Sequence, residues 1–357
     1  MLGASVYLSE DLSKIKDYLT KISKYGVKEI FTSIHIGEED PEGTLEKLNS
    51  VSSHIDKLGM SLMIDISSAT LTRYNMSFDE LLNYLKIIKI KKLRVDYGFS
   101  DKEIVEISKN FDVILNASTI DDTECEKLES LGLNLNNIIA CHNFYPRPET
   151  GLGEKSFLEQ NKYLKSKGFK IQAFLPGDDE LRGPIYEGLP TIETHRHKDP
   201  LFTFIDLHKK YDIDEILIGD ISIKESSFER LRKYIEEGII SLRVENMNIN
   251  DPRIEDLILK THTNRKDLSD YVIRSAEARF IVDYDIEANN TSERAKGSIT
   301  IDNKNYGRYN GELQITKRDL ARDEKVNVLG NVIEEDLPLL EYILAGDKYK
   351  FIDVNKL

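Results

Sequence analysis

The sequence predicts an α/β chain: a (β/α)8 TIM barrel over residues 1–238 followed by a small β-rich second domain over residues 239–357. Three observations predict it. Up to Gly238 one unit recurs at roughly 25–35-residue spacing: a short apolar strand, a polar loop and an amphipathic helix. No GxGxxG follows the first strand, which weakens the open dinucleotide-binding sheet as the alternative. After Gly238 the helical units give way to short strands, with turn chemistry such as Asp302–Asn303 between them.

The elements follow in order. Strand one is Ala4–Leu8, and the helix Leu12–Tyr25 carries Leu12, Ile15, Leu19 and Ile22 at helical spacing, closed by Gly26. Strand two is Glu29–Ile36; a loop, Glu38–Gly43, leads to a helix ending at Leu58. Strand three is Ser61–Ile66, with Ser77 as N-cap of a helix to Leu85. Strand four, Lys92–Val95, precedes a helix Ser100–Lys109, and strand five, Asp112–Leu115, precedes one holding Cys125, Leu128 and Leu131. Strand six, Ile138–Ala140, runs into CHNFYPRPETGLG (Cys141–Gly153) and a helix Ser156–Ser166. Strand seven, Lys170–Phe174, opens a long loop through Pro200; strand eight is Glu215–Ile218, and the last helix of the repeat is Ser227–Glu237. The second domain reads as strands Leu242–Glu245, Tyr271–Arg274, Gly297–Ile301, Glu312–Ile315 and Val326–Val332, with one helix, Leu337–Leu344.

Composition narrows the partners. The chain has 357 residues, 40% apolar and 31% charged, with a formal net charge of −14. Nucleic acid is not expected, because phosphate contacts need a basic footprint. The two cysteines, Cys125 and Cys141, have neither metal spacing nor a disulfide framework and suit a reducing compartment. The N-terminal MLGASVYLSED lacks the pattern of a secretory signal, and no apolar run approaches the ~20 residues that span a bilayer. A cytoplasmic protein without a membrane segment is expected. No cofactor is expected, and no metal, since His195 and His197 lack the wider Asp/His spacing of a metal site.

In a barrel of this kind ligands bind at the C-terminal ends of the strands. Those exits carry Glu10, His35, Asp65, Arg94 with Asp96, Asn116, His142 with Asn143 and Tyr145, Gln172, and Asp220. A mouth lined by Asp, Asn, His and Arg suits a polyhydroxylated ligand. Glycoside hydrolysis needs paired carboxylates, and Asp65 and Asp96 stand on neighbouring strands, where mutual repulsion raises one pKa and yields an acid. They are the acid/base candidates, with Asp220 in reserve. The blander alternatives are an ion pair of one aspartate with Arg94 or Arg73, and a helix-capping role for Asp220. Asn116, His142, Asn143 and Tyr145 are assigned to the sugar. In the loop after strand seven, Arg182, His195 and Arg196 are assigned to a phosphate or carboxylate, because loops seven and eight often seat phosphate and arginine offers it paired donors. The alternative there is a solvated loop. In the second domain YGRYNGELQI (Tyr306–Ile315) crowds Arg308, Tyr309 and Glu312 at a turn, and Arg308 is a further substrate-binding candidate against an ordinary hairpin.

The strings RVDYG, LNAS, CHNFYPRPETGL, RGP…GLPT…HR, IGD and YGRYNGELQI make the chain similar to the 6-phospho-N-acetylmuramidases over essentially its whole length. The resemblance implies that the second domain is a cyclophilin-like β-barrel. It also implies a cytoplasmic bacterial glycosidase of peptidoglycan recycling. Its substrate is then N-acetylmuramic acid 6-phosphate β-1,4-linked to N-acetylglucosamine, split into the two sugars. Two other classes stay open: a lyase or isomerase of a phosphorylated sugar, and a sugar-binding protein without turnover. Oligomeric state is left open.

Overall fold

A computed structural model describes residues 1–34 and 41–356. His35 and residues 38–40 of the loop expected at Glu38–Gly43 lie outside the described residues; the helix that follows begins at Pro41. The chain divides into two compact units, Met1–Phe228 and Glu229–Leu357.

In the first unit eight parallel strands close into a barrel in sequence order: β1 (Leu2–Ser5), β2 (Glu29–Ser33), β3 (Ser61–Ile66), β4 (Lys92–Val95), β5 (Asp112–Asn116), β6 (Ile139–Cys141), β7 (Lys170–Leu175) and β8 (Glu215–Ile218). The ring closes by pairing β1 with β8, Leu2 opposite Ile216 and Ala4 opposite Ile218. Successive side chains on a strand point to opposite faces. One parity fills the barrel: Phe31, Met63, Ile114, Ile139, Cys141, Phe174 and Leu217 form one buried cluster. Phe144, beyond β6, caps it edge-on to Phe31 and Phe174. Strand one is shorter than its apolar run suggests, because Val6, Tyr7 and Leu8 are buried beyond the ladder rather than within it.

Four helices of the described residues escaped the sequence reading, a short one at Ala278–Ile281 among them. Ser68–Tyr74 is a short helix with a reciprocal Ser67/Thr70 capping box, and Pro200–Lys209 starts on an Asp199 N-cap. Pro252–Ile258 lies in the second unit. That unit is a seven-stranded sheet of β9 (Ile239–Glu245), β10 (Thr261–Thr263), β11 (Val272–Arg274), β12 (Ser298–Asp302), β13 (Leu313–Thr316), β14 (Val326–Val332) and β15 (Lys348–Asp353), in the order β10-β15-β9-β14-β12-β13-β11. Only β9 and β15 pair in parallel. Its two edges meet through the Asn264–Ser275 bridge, so the sheet is barrel-like and nearly closed. Strands β10 and β15 were not expected. The expected helix Leu337–Leu344 is a 3-10 segment, Glu334–Tyr342, with Pro338 inside it. Asp336 in that segment is fully buried and takes Arg230 at 2.9 Å and Arg243 at 2.6 Å, tying it to β9.

The N-terminal end of the barrel is polar inside. Lys92 Nζ donates to Glu29 Oε2 at 2.5 Å, and Gln172 Nε2 to Glu215 Oε2 at 2.6 Å. Burial pushes the Glu29 carboxyl up to about 7, against the opposing pull of Lys92. A carboxyl raised in the fold costs stability as pH rises from its unfolded value, near 4.5, to about 7. Glu29→Gln is therefore expected to flatten the fall of stability across that window in urea unfolding. Lys92→Met leaves a buried carboxylate alone and is expected to cost about 3–5 kcal/mol above pH 7. The double variant should recover most of that loss; an unrelieved loss would assign it to packing instead.

Candidate active site

The parity that fills the barrel also sorts the strand exits. Asp65 follows Met63 inward on β3, Arg94 follows Lys92 on β4 with Asp96 next, Asn116 follows Ile114 on β5, and Asn143 follows Cys141 on β6. These five meet. Arg94 Nη1 donates to Asp65 Oδ1 at 2.8 Å and lies 3.8 Å from Asp96 Oδ1. Arg94 Nη2 donates to the Asn143 side-chain oxygen, and Asn116 Nδ2 donates to Asp96 Oδ1 at 3.5 Å. Burial disfavours the Arg94 cation, but Asp65 and Asp96 more than offset this and hold its pKa above the ordinary value. Arg94 is thus a fixed positive charge between two aspartates, and the repulsion expected between them is offset. Their exposure differs: the Asp65 side chain is 7% accessible and that of Asp96 is 23%. Asp96 is the more accessible of the two carboxylates. Below it, burial pushes the Cys141 thiol up to about 12, so it stays a neutral core group.

His142 has the other parity. It is fully buried, its Nε2 donates to Asn161 Oδ1 at 2.7 Å, and its ring lies 4.5 Å from that of Phe157. Burial pushes its pKa down to about 4, so it is neutral at physiological pH. It docks β6 on the helix Glu154–Ser166 instead of lining the mouth. His195 and Arg196 are likewise taken. His195 Nε2 donates to Asp206 Oδ2 at 2.6 Å inside the fold. Arg196 grips both Glu193 oxygens, at 2.7 and 2.8 Å, and donates to the carbonyls of Tyr145, Arg147, Glu187 and Gly188. Glu193 also accepts from the amides of Glu149 and Gly151, and Arg196 foremost holds its carboxyl down at about 2. Tyr145 N donates to Pro190 O, and Thr191 Oγ1 to Asn143 O. The loop after β6 and the loop after β7 are therefore laced together through Arg196.

Asp220 is buried, and its oxygens accept from the amides of Gly177 (2.7 Å), Leu189 (2.9 Å) and Arg182 (3.0 Å). It folds the β7 loop over β8. Gly177 is required there, since a Cβ would sit 2.6 Å from Ser222 O and 2.7 Å from Asp220 Cβ. The Arg182 guanidinium stacks 4.0 Å above the ring of Tyr7, whose hydroxyl donates to Gly219 O. Two cavities, of about 810 and 450 Å³, open at the exits of β1, β7 and β8, across the ring from Asp65 and Asp96. They share a wall of Tyr7, Glu10, Asp179, Glu180 and Ile221, and Arg182 lines the larger one. Lys14 bridges Glu10 at 3.1 Å and Glu180 at 2.5 Å. In the second unit Arg308 is exposed, donates to the Tyr309 hydroxyl at 2.9 Å and lies over its ring. Among the described residues no group of three His, Cys, Asp or Glu side chains is placed to hold a metal ion, and no helix is long and apolar enough to cross a membrane.

Two family models match this architecture unit by unit: "6-phospho-N-acetylmuramidase, N-terminal" over residues 2–233 and "6-phospho-N-acetylmuramidase, C-terminal" over residues 240–352. The chain belongs to the 6-phospho-N-acetylmuramidase family. Comparison with the curated proteins gave no match. Among solved structures, a conserved Enterococcus faecalis protein of unknown function is 36% identical, with all of this chain and 97% of that one covered and a TM-score of 0.89. An uncharacterised B. cereus protein is 26% identical over 98% and 99% of the two chains, with a TM-score of 0.79.

In this 6-phospho-N-acetylmuramidase family member the sequence reading left out Tyr7, Phe144, Asp179 and Glu180; Arg94 was expected as a strand exit and, with Arg73, as the alternative ion-pair partner of one aspartate, and it does pair with Asp65. Strand parity was the available signal for Arg94; the cavity wall depends on how the long loops fold and had none. The lacing makes a prediction. Arg196→Ala strips the donor from four carbonyls and one carboxylate, and is expected to lower stability by about 2–4 kcal/mol. Limited proteolysis should then cut within residues 145–152 or 177–191 before the rest of the barrel. A wild-type cleavage pattern would show that the loops hold without the clamp.

Proposed function

We propose that this chain hydrolyses the β-1,4 bond between N-acetylmuramic acid 6-phosphate and N-acetylglucosamine, releasing the two sugars, as a cytoplasmic step of peptidoglycan recycling. The family supports a glycosidase acting on a phosphorylated muramic sugar. The observation that carries the chemistry is the Asp65–Arg94–Asp96 constellation at the exits of β3 and β4. The family resemblance also supports reading the second unit as cyclophilin-like.

In this reading Asp96 meets the reacting atoms, exchanging a proton with the bridging oxygen or with the attacking water. Asp65, fixed by Arg94, orients the group that attacks. Asn116 and Asn143, each already bonded to a member of the constellation, hold sugar hydroxyl or acetamido groups. The larger cavity suits the uncharged sugar: Glu10, Asp179 and Glu180 outnumber Arg182 on its wall and disfavour a phosphate. Arg182 and Tyr7 are its binding platform, while Asp220, His142, His195 and Arg196 keep the loops in place.

The test is turnover of the phosphorylated disaccharide and of its unphosphorylated form, with products followed by mass. Wild-type protein is expected to split only the phosphorylated form, into two intact sugars. Asp96→Asn and Asp65→Asn should each lower kcat by about 10²–10⁴, the usual worth of a positioned acid or base. Full turnover in both variants would remove the constellation from the chemistry, and an unsaturated or rearranged product would replace hydrolysis with a lyase or isomerase.

A further inference from the structure

The first unit offers a phosphate few of the cations that the sequence suggested for it. Two of the three basic residues that the sequence offered for it, His195 and Arg196, are spent on the fold, and the third shares its cavity with three carboxylates. The second unit carries further positive charge. Four arginines cluster around Tyr309 and Glu312 there. Arg308 and Arg279 lie 4.9 and 5.6 Å from the centroid of the Tyr309 ring. Arg279 Nη1 donates to Glu312 Oε2 at 3.3 Å, and Gln314, which shares that carboxylate, stands opposite Arg274 in the β11–β13 ladder. Arg274 and Arg265 both hold Asp267. Four guanidinium groups against two carboxylates leave this cluster formally positive in a chain of net charge −14.

Arg308 differs from the other three. Among the described residues its guanidinium meets no carboxylate; its one polar partner is the Tyr309 hydroxyl. It is exposed, and its backbone follows Gly307 at φ 59°, ψ −118°, a conformation that a side chain would strain. An exposed arginine held on an aromatic ring, beside a second one, is preorganised to give paired, charge-assisted bonds to an anion, with the phenol as a further donor.

We propose that Arg308, Arg279 and Tyr309 form an anion site in the second unit that takes the phosphomonoester of a sugar. The inference rests on the function proposed above only for which sugar carries the phosphate.

The probe is inorganic phosphate, titrated into the full-length protein at low ionic strength and followed by ³¹P line broadening. Saturable binding is expected. Arg308→Met and Arg279→Met should each weaken it about tenfold, Arg308→Lys less, because a lysine keeps the charge but loses the fork. N-acetylmuramic acid 6-phosphate should displace the phosphate and N-acetylmuramic acid should not. Affinity unchanged in both methionine variants, or displacement by the unphosphorylated sugar equal to that by the phosphorylated one, overturns the proposal. Hydrolysis with arginine-independent phosphate binding sinks this site alone. Arginine-dependent binding in a wild-type protein that does not hydrolyse leaves the site standing and removes the activity.

Discussion

A guanidinium at the mouth of a closed barrel must be neutralised, and the way Arg94 is neutralised organises the rest of the mouth. Its side chain is 4% accessible, so its charge is met by protein. Asp65 supplies the close counter-charge, Asn143 an acceptor, and Asp96 a second carboxylate at longer range. Three strand exits, those of β3, β4 and β6, are thereby pinned to one cation. Such a centre is rigid without being inert. Asp65 is buried against its partner, whereas Asp96 keeps an accessible side. The two carboxylates thus differ in burial beside one arginine.

The loops around this centre show that polar density is no guide to ligand contact by itself. CHNFYPRPETGLG is crowded with polar groups, yet most of them answer to protein. His142 faces a helix, the Tyr145 and Arg147 carbonyls face Arg196, and the amides of Glu149 and Gly151 face Glu193. Asn143 alone among them carries its side chain to Arg94. The loop after β7 obeys the same rule, with Asp220 satisfying three of its amides. Two long irregular segments packed at the end of a barrel bury backbone groups that no ladder satisfies, and charged side chains do that work at fixed geometry.

This also marks how far the sequence could be read. Strands β3, β4 and β8 were legible to the residue because apolar runs bounded by polar exits leave no choice of register. The inward set Asp65, Asp96, Asn116 and Asn143 was legible for a related reason: a period of two fixes facing once one core residue on the strand is known. His142 misled because its sequence neighbour Asn143 shares its chemistry but not its parity. His195 and Arg196 misled because their partners, Asp206, Glu193 and four carbonyls, are set by tertiary contacts that no local pattern encodes. Strands β10 and β15 escaped because Thr261–Thr263 is too short to show a period, and Lys348–Asp353 alternates with charges on the side away from Tyr349 and Phe351.

Charge distribution gives the last constraint. A chain of net charge −14 repels an anionic sugar phosphate at long range, but at physiological salt that field fades within about 8 Å. Recognition then depends on whichever cations a ligand meets at contact distance. In the barrel unit three cations near the mouth are paired: Arg94 with Asp65, Lys14 with Glu10 and Glu180, and Arg196 with Glu193. That arrangement favours uncharged hydroxyl and amide groups, for which paired charges are good hydrogen-bonding walls. An exposed arginine on an aromatic ring, with no carboxylate partner, is the opposite kind of surface, and it is found in the other unit. The barrel mouth and this surface thus present two different kinds of binding chemistry, each within its own unit.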